Sequence, residues 1–85
     1  MKVECLGNEI EVPDSLIETY VKQFDGLPGS GNREAVLQLR GTMYEVIDYI
    51  AEDPEALHEY EYRNDFINAL AVHKALETHG LLHDA

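Results

Sequence analysis

The chain opens at a hydrophobic period of two and then runs at the helical period to its end. From Lys2 to Val12, the apolar Val3, Cys5, Ile10 and Val12 alternate with Lys2, Glu4, Glu9 and Glu11 around Gly7-Asn8. Alternation on both sides of a Gly-Asn pair predicts a β-hairpin over 2–12, apolar on one face and charged on the other. Two strands alone are marginal in water, so the hairpin needs a helical layer beneath it or a second copy beside it. Its exposed edge offers a place for strand addition, which Glu4 and Glu9 discourage without forbidding.

Beyond Pro13 the period changes. Leu16, Ile17, Tyr20, Val21 and Phe24 form one apolar stripe, and Ser15 with Glu18 three positions on reads as a capping box, which predicts a helix over about 15–24. Asp25 to Asn32 is a Gly- and Pro-rich turn whose Asn32 caps the next helix. That helix, about 33–52, carries Val36, Leu39, Met43, Val46 and Ile50 at steps of three and four, with Leu37, Tyr44 and Ile47 widening the stripe. Gly41 inside it costs about 1 kcal/mol relative to Ala and suggests close approach of another helix. The same seam suits a homodimer face, although it is too short for a coiled coil. Asp53-Pro54-Glu55 starts a third helix, about 54–62, with Leu57 and Tyr60 inward and Glu55, Glu59 and Tyr62 outward. Asn64-Asp65 re-caps a fourth, about 65–79, with Phe66, Ile67, Leu70, Ala71, His73, Ala75 and Leu76 inward and Gly80 as its left-handed stop. Leu81 and Leu82 are placed to fold back on the core. The expected fold is α+β, a short N-terminal β-hairpin packed on a three- to four-helix bundle within one domain, 1–85.

Composition narrows the picture. A chain of 85 residues has room for one core, and with Cys5 as its only cysteine neither an internal disulfide nor a zinc cluster can staple it. A lone cysteine fits the reducing cytosol, and Met1-Lys2-Val3-Glu4-Cys5 lacks the basic-then-apolar pattern of a secretory leader, so a cytoplasmic location is expected. The net charge of −11, from 17 acids against six Lys and Arg, disfavours direct contact with nucleic acid or anionic membranes and favours a basic protein partner. Hydrophobic residues at 45% are too many for a disordered acidic tail.

No catalytic, metal or cofactor site is expected. Gly26-Leu27-Pro28-Gly29-Ser30-Gly31 has the glycine spacing of a phosphate-binding loop. However, Asn32 and Arg33 replace the Lys and the Ser or Thr, and a helix rather than a strand precedes it. Cys5 falls on the apolar face of the hairpin, where a thiol is inert. Surface carboxylates lack the buried pocket that separates an acid from a base. His73, His79 and His83 crowd the C-terminus around Glu77, but Gly80 breaks the helical spacing between the last two; they read as a half-buried side chain, a helix-terminal cation and a tail residue.

The strongest functional signal is the run from Glu45 to Asp65. It holds nearly half of the 17 acids, Glu45, Asp48, Glu52, Asp53, Glu55, Glu59, Glu61 and Asp65, answered by Arg63 alone among Lys and Arg. Carboxylates three or four apart on a helix lie roughly 5–6 Å from one another. Glu45, Asp48 and Glu52 thus make one ladder and Glu55 with Glu59 another, near the spacing of phosphates along a nucleic-acid strand. Tyr60 and Tyr62, with Tyr44 and Tyr49 nearby, supply the aromatic anchors that dominate protein interfaces. The partner-binding residues expected are Glu45, Asp48, Glu52, Glu55, Glu59 and Tyr62. The plainer reading is a solvated helix face with tyrosines half in the core. In size, charge and helical make-up the chain resembles the inhibitors and decoys of bacteriophages and toxin systems, such as anti-CRISPR and nuclease-immunity proteins. That likeness rests on no motif. The expected function is therefore a small acidic, non-catalytic inhibitor or nucleic-acid-mimicking decoy of a basic, nucleic-acid-handling partner; the alternative is a self-associating structural or adaptor domain, such as a homodimer, whose acidity serves solubility.

Overall fold

Strands β1 (Lys2–Cys5) and β2 (Asn8–Glu11) pair antiparallel, with Val3 opposite Ile10 and Cys5 opposite Asn8. That register makes Leu6-Gly7 the turn, one residue earlier than the Gly7-Asn8 turn the sequence suggests. Both residues have positive φ, 54° and 79°, as a two-residue turn matched to the strand twist requires. Gly7 adopts this freely. Leu6 does so against its own preference, and its exposed side chain projects from the tip. The alternation holds: Val3 and Val12 are buried, Cys5 and Ile10 half-buried, and the acids of both strands exposed.

The computed structural model describes residues 1–24 and 33–82. The glycine-rich segment Gly26–Gly31, the expected Asn32 cap and His83 lie outside them. The hairpin packs against three helices, α1 (Asp14–Phe24), α2 (Arg33–Glu52) and α3 (Tyr60–Thr78), in an α+β arrangement. Helix α1 starts one residue before Ser15, and the Pro13 carbonyl accepts from the amides of Leu16 and Ile17, so Ser15 stands inside the first turn rather than at its cap. Asp14 is held instead by the Met1 ammonium at 3.0 Å.

The largest departure from the expected elements lies between α2 and α3. Asp53-Pro54 starts only a short 3-10 helix, Pro54–His58, and Asp53 makes no side-chain cap. Glu59 is extended, with φ −90° and ψ 135°, and α3 then begins at Tyr60 and runs without a break through Asn64-Asp65. The reason is the apolar stripe: Tyr62, Phe66, Ala69, Leu70 and Leu76 keep one helical phase across the polar pair, and burying that stripe outweighs the local preference of Asn and Asp for a cap. The same phase reverses the two tyrosines. Tyr62, four residues before the fully buried Phe66, turns inward and is half-buried; Tyr60, expected inward, is 76% exposed.

The core has two clusters along α3. One joins the hairpin to the 3-10 helix and the adjoining parts of α2 and α3 through Val3, Val12, Ile50, Ala56, Phe66, Leu70 and Ala71. The other gathers Phe24, Val36, Met43, Ala69, Val72, Ala75 and Leu76, with Leu81 and Leu82 folded against it as expected. The α2 seam that suited a homodimer is thus used inside the chain. Gly41 is exposed, and a Cβ there would meet nothing within 4 Å, so among the described residues no helix packs on it. Helix α3 ends as the sequence predicts. Gly80 has φ 68°, the Leu81 amide donates to the Leu76 carbonyl at 2.8 Å, and the Gly80 amide donates to that of Glu77 at 3.1 Å, the paired bonds of a Schellman cap.

Candidate functional site

Where α3 leaves the 3-10 helix and passes back along α2, their outer surfaces do not close. Glu45, Val46, Tyr49 and Ile50 of α2 and Tyr62 and Asp65 of α3 line a cleft of about 160 Å³. Its floor is apolar, from the buried Ile50 and the half-buried Val46. Two of the lining rings, Tyr49 and Tyr62, stack with centroids 5.2 Å apart and planes 17° from parallel. Glu45 stands four residues before Tyr49 and Asp65 three after Tyr62, so one carboxylate from each helix lies on the cleft face. Hydrogen bonding with Tyr62, more than any other influence, raises the Tyr49 phenol above its ordinary value; the charge of Tyr62, burial, and the acids Asp53 and Glu59 add to it.

The carboxylates around this cleft are unanswered. Among the described residues, Glu45, Asp48, Glu52, Glu55, Glu59 and Asp65 are all exposed and enter no ion pair; the pairs formed join the Met1 ammonium to Glu11 and Asp14, Lys2 to Glu9, and His73 and Lys74 to Glu77. Glu45, Asp48 and Glu52 occupy one helix, as the ladder requires. Glu55 and Glu59 do not: Glu55 lies in the 3-10 helix and Glu59 in the extended residue after it, so helical spacing does not relate them. Of the six expected residues, the cleft unites Glu45 and Tyr62. It adds Tyr49 and Asp65, whose signal was available in their helical offsets from those two, once α3 is known to run unbroken through residue 62.

Elsewhere, side chains with chemical potential are engaged in packing. Burial pushes the Cys5 thiol up, which keeps it protonated and a poor nucleophile. The His79 ring donates from Nε2 to the Val21 carbonyl at 2.9 Å, tying α1 to the end of α3. His73 lies 3.9 Å from Glu77 through Nδ1. Among the described residues no three His, Cys, Asp or Glu side chains gather closely enough to hold a metal ion, and no helix is long and apolar enough to cross a membrane. Comparison of the chain with protein-family models, with curated proteins and with solved structures returned no match.

Proposed function

We propose that this chain is a small, acidic, non-catalytic binding protein that occupies the nucleic-acid-binding surface of a basic partner, as an inhibitor or decoy. The supporting observation is the cleft between α2 and α3, where a stacked tyrosine pair and an apolar floor are flanked by Glu45 and Asp65. These are the groups that receive an arginine: a planar guanidinium stacks on a tyrosine ring while its N–H groups donate to carboxylates.

The placement of charge along α2 supports the same reading. Asp48 and Glu52 lie in the last turns of the helix, at the negative end of its dipole, and the last turn holds no basic residue. A carboxylate in the last turn, as Glu52 is, opposes folding by roughly 0.3–1 kcal/mol. A helix arranged only for its own stability would carry cations at that end; a ladder offered to a cationic groove carries acids. Fixing the partner's Arg and Lys on this ladder releases the anions they would otherwise hold, so association weakens as salt rises.

The test is affinity capture from host lysate with the pure protein as bait at low and high salt, beside a Glu45→Lys/Glu52→Lys bait. The expected result is a nucleic-acid-binding protein captured at low salt, released by high salt and by added oligonucleotide, and lost from the charge-reversed bait. Capture that persists with the reversed bait, or that oligonucleotide does not displace, defeats the reading.

A further inference from the structure

The hairpin has an edge that fits a second copy of itself. The Met1 and Val12 backbones exchange hydrogen bonds, Val12 N–H to the Met1 carbonyl at 2.8 Å and the Met1 ammonium to the Val12 carbonyl at 2.9 Å. In an antiparallel pair such bonded positions alternate with unbonded ones. With Val3 opposite Ile10 and Cys5 opposite Asn8, the bonded rungs fall at Met1, Val3 and Cys5, and the N–H and C=O of Lys2 and Glu4 point away from β2. The sheet has two strands, and among the described residues no backbone hydrogen bond reaches these outward groups. On β2 the corresponding outward residues are Glu9 and Glu11.

A copy related by a two-fold axis normal to the sheet can meet β1 in three registers that pair outward-facing residues. Two of them set Lys2 against Lys2 or Glu4 against Glu4 and are repulsive. The third centres the axis on Val3: Lys2 of each chain then bonds Glu4 of the other through both backbone groups, with opposite charges facing, and Val3 meets Val3 on the apolar face. The β2 edge has no such solution, since its equivalent register sets Glu9 against Glu11. Charges normally blunt an exposed edge; on β1 they alternate in sign and make the edge self-complementary.

We infer that two copies of this chain associate through antiparallel pairing of β1 with β1, centred on Val3, to form a four-stranded sheet. A four-residue strand gives a small interface, so the dimer is weak and concentration-dependent. The chain's charge of −11 repels its copy at long range, so salt strengthens this association, opposite in sign to its effect on a basic partner.

Sedimentation equilibrium over a wide concentration range tests it, with circular dichroism to confirm that each variant folds. Lys2→Glu and Glu4→Lys should each weaken dimerisation roughly tenfold, because two symmetry-related pairs turn repulsive, and the double variant should restore it. Glu4→Pro removes an outward N–H that the hairpin does not use, so the monomer folds and the dimer is lost. A mass that stays monomeric at every concentration and salt overturns the inference, as does a dimer indifferent to Lys2→Glu, Glu4→Lys and Glu4→Pro.

Discussion

The two ends of the α2–α3 pair use their polar groups in opposite ways. At the far end polar side chains tie the elements to one another: the Arg40 guanidinium donates to the Leu81 carbonyl at 3.0 Å, the Tyr44 hydroxyl to that of Leu82 at 3.4 Å, and the His79 ring to Val21. The Schellman bonds complete that closure. At the near end neither Asp53 nor Glu59 makes a side-chain cap, the cleft stays open, and the carboxylates around it have no partner among the described residues. The difference separates what holds the chain together from what, under the proposed function, it offers to a partner. A surface whose polar groups are satisfied internally gives little to a partner; one whose charges are unpaired has its attraction in reserve.

Both ends nevertheless rest on closed cores, and the largest effects should show it. Phe66 and Leu76, one in each cluster, are both fully buried. Phe66→Ala should cost about 3–5 kcal/mol and Leu76→Ala about 2–5 kcal/mol in denaturant unfolding. If Phe66→Ala costs much less than Leu76→Ala, the open end is loosely packed beneath its cleft, and the contrast becomes one of packing rather than of surface chemistry.

A glycine pair gives the next effect, with opposite signs at two sites. A Cβ at Gly41 or Gly80 meets nothing within 4 Å, so backbone conformation alone decides. Gly41 is helical, and Gly41→Ala should stabilise by about 1 kcal/mol. Gly80 has φ 68° at the closed end, and Gly80→Ala should destabilise by about 1–2 kcal/mol. Equal signs in thermal unfolding would show that the cap at Gly80 does not govern the end of α3.

The closed end was legible in the sequence and the open end only partly. Gly80, Leu81 and Leu82 announced a left-handed stop with its hydrophobic return, and the spacing of the α2 stripe located Val36, Met43 and Ile50 in the core. Asn64-Asp65 pointed to a helix start that does not exist, because a local cap preference is worth about 1 kcal/mol and burial of Phe66 with its neighbours is worth more. That error carried into the site. With α3 begun at 65, Tyr62 fell on an outer helix face and Asp65 at a cap, and the cleft could not be assembled; with α3 begun at Tyr60, Tyr62 turns toward Tyr49 and Asp65 follows it along the cleft. The ladder Glu45, Asp48 and Glu52 was legible because it needs only one helix.

Glu52→Lys sharpens the comparison at smaller magnitude. It replaces an anion by a cation at the negative end of α2 and lowers the overall repulsion, so the isolated chain should gain roughly 0.3–1 kcal/mol at low salt, less as salt rises. Partner capture should fall in the same variant. Stability and binding moving in opposite directions mark a residue placed for a partner; a gain in stability with capture unchanged marks a solvated face.

The smallest effect is a titration. The Tyr49 phenol lies above its ordinary value of 10.0, first through hydrogen bonding with Tyr62. A group whose folded pKa exceeds its unfolded one supports folding fully below the unfolded value, and that support is lost as pH rises through the folded value. The stacked pair should therefore contribute at neutral pH and release its contribution only in the alkaline range above the ordinary phenol value. Phenolate absorbance should show one tyrosine ionising later than the others. In Tyr62→Phe the ring remains to stack while the hydroxyl is gone, so Tyr49 should ionise closer to 10, with little change in stability at neutral pH. A late-ionising tyrosine that survives Tyr62→Phe would assign the shift to Asp53 and Glu59 instead, making the anionic field of the open end, rather than the stack, the dominant influence on the cleft.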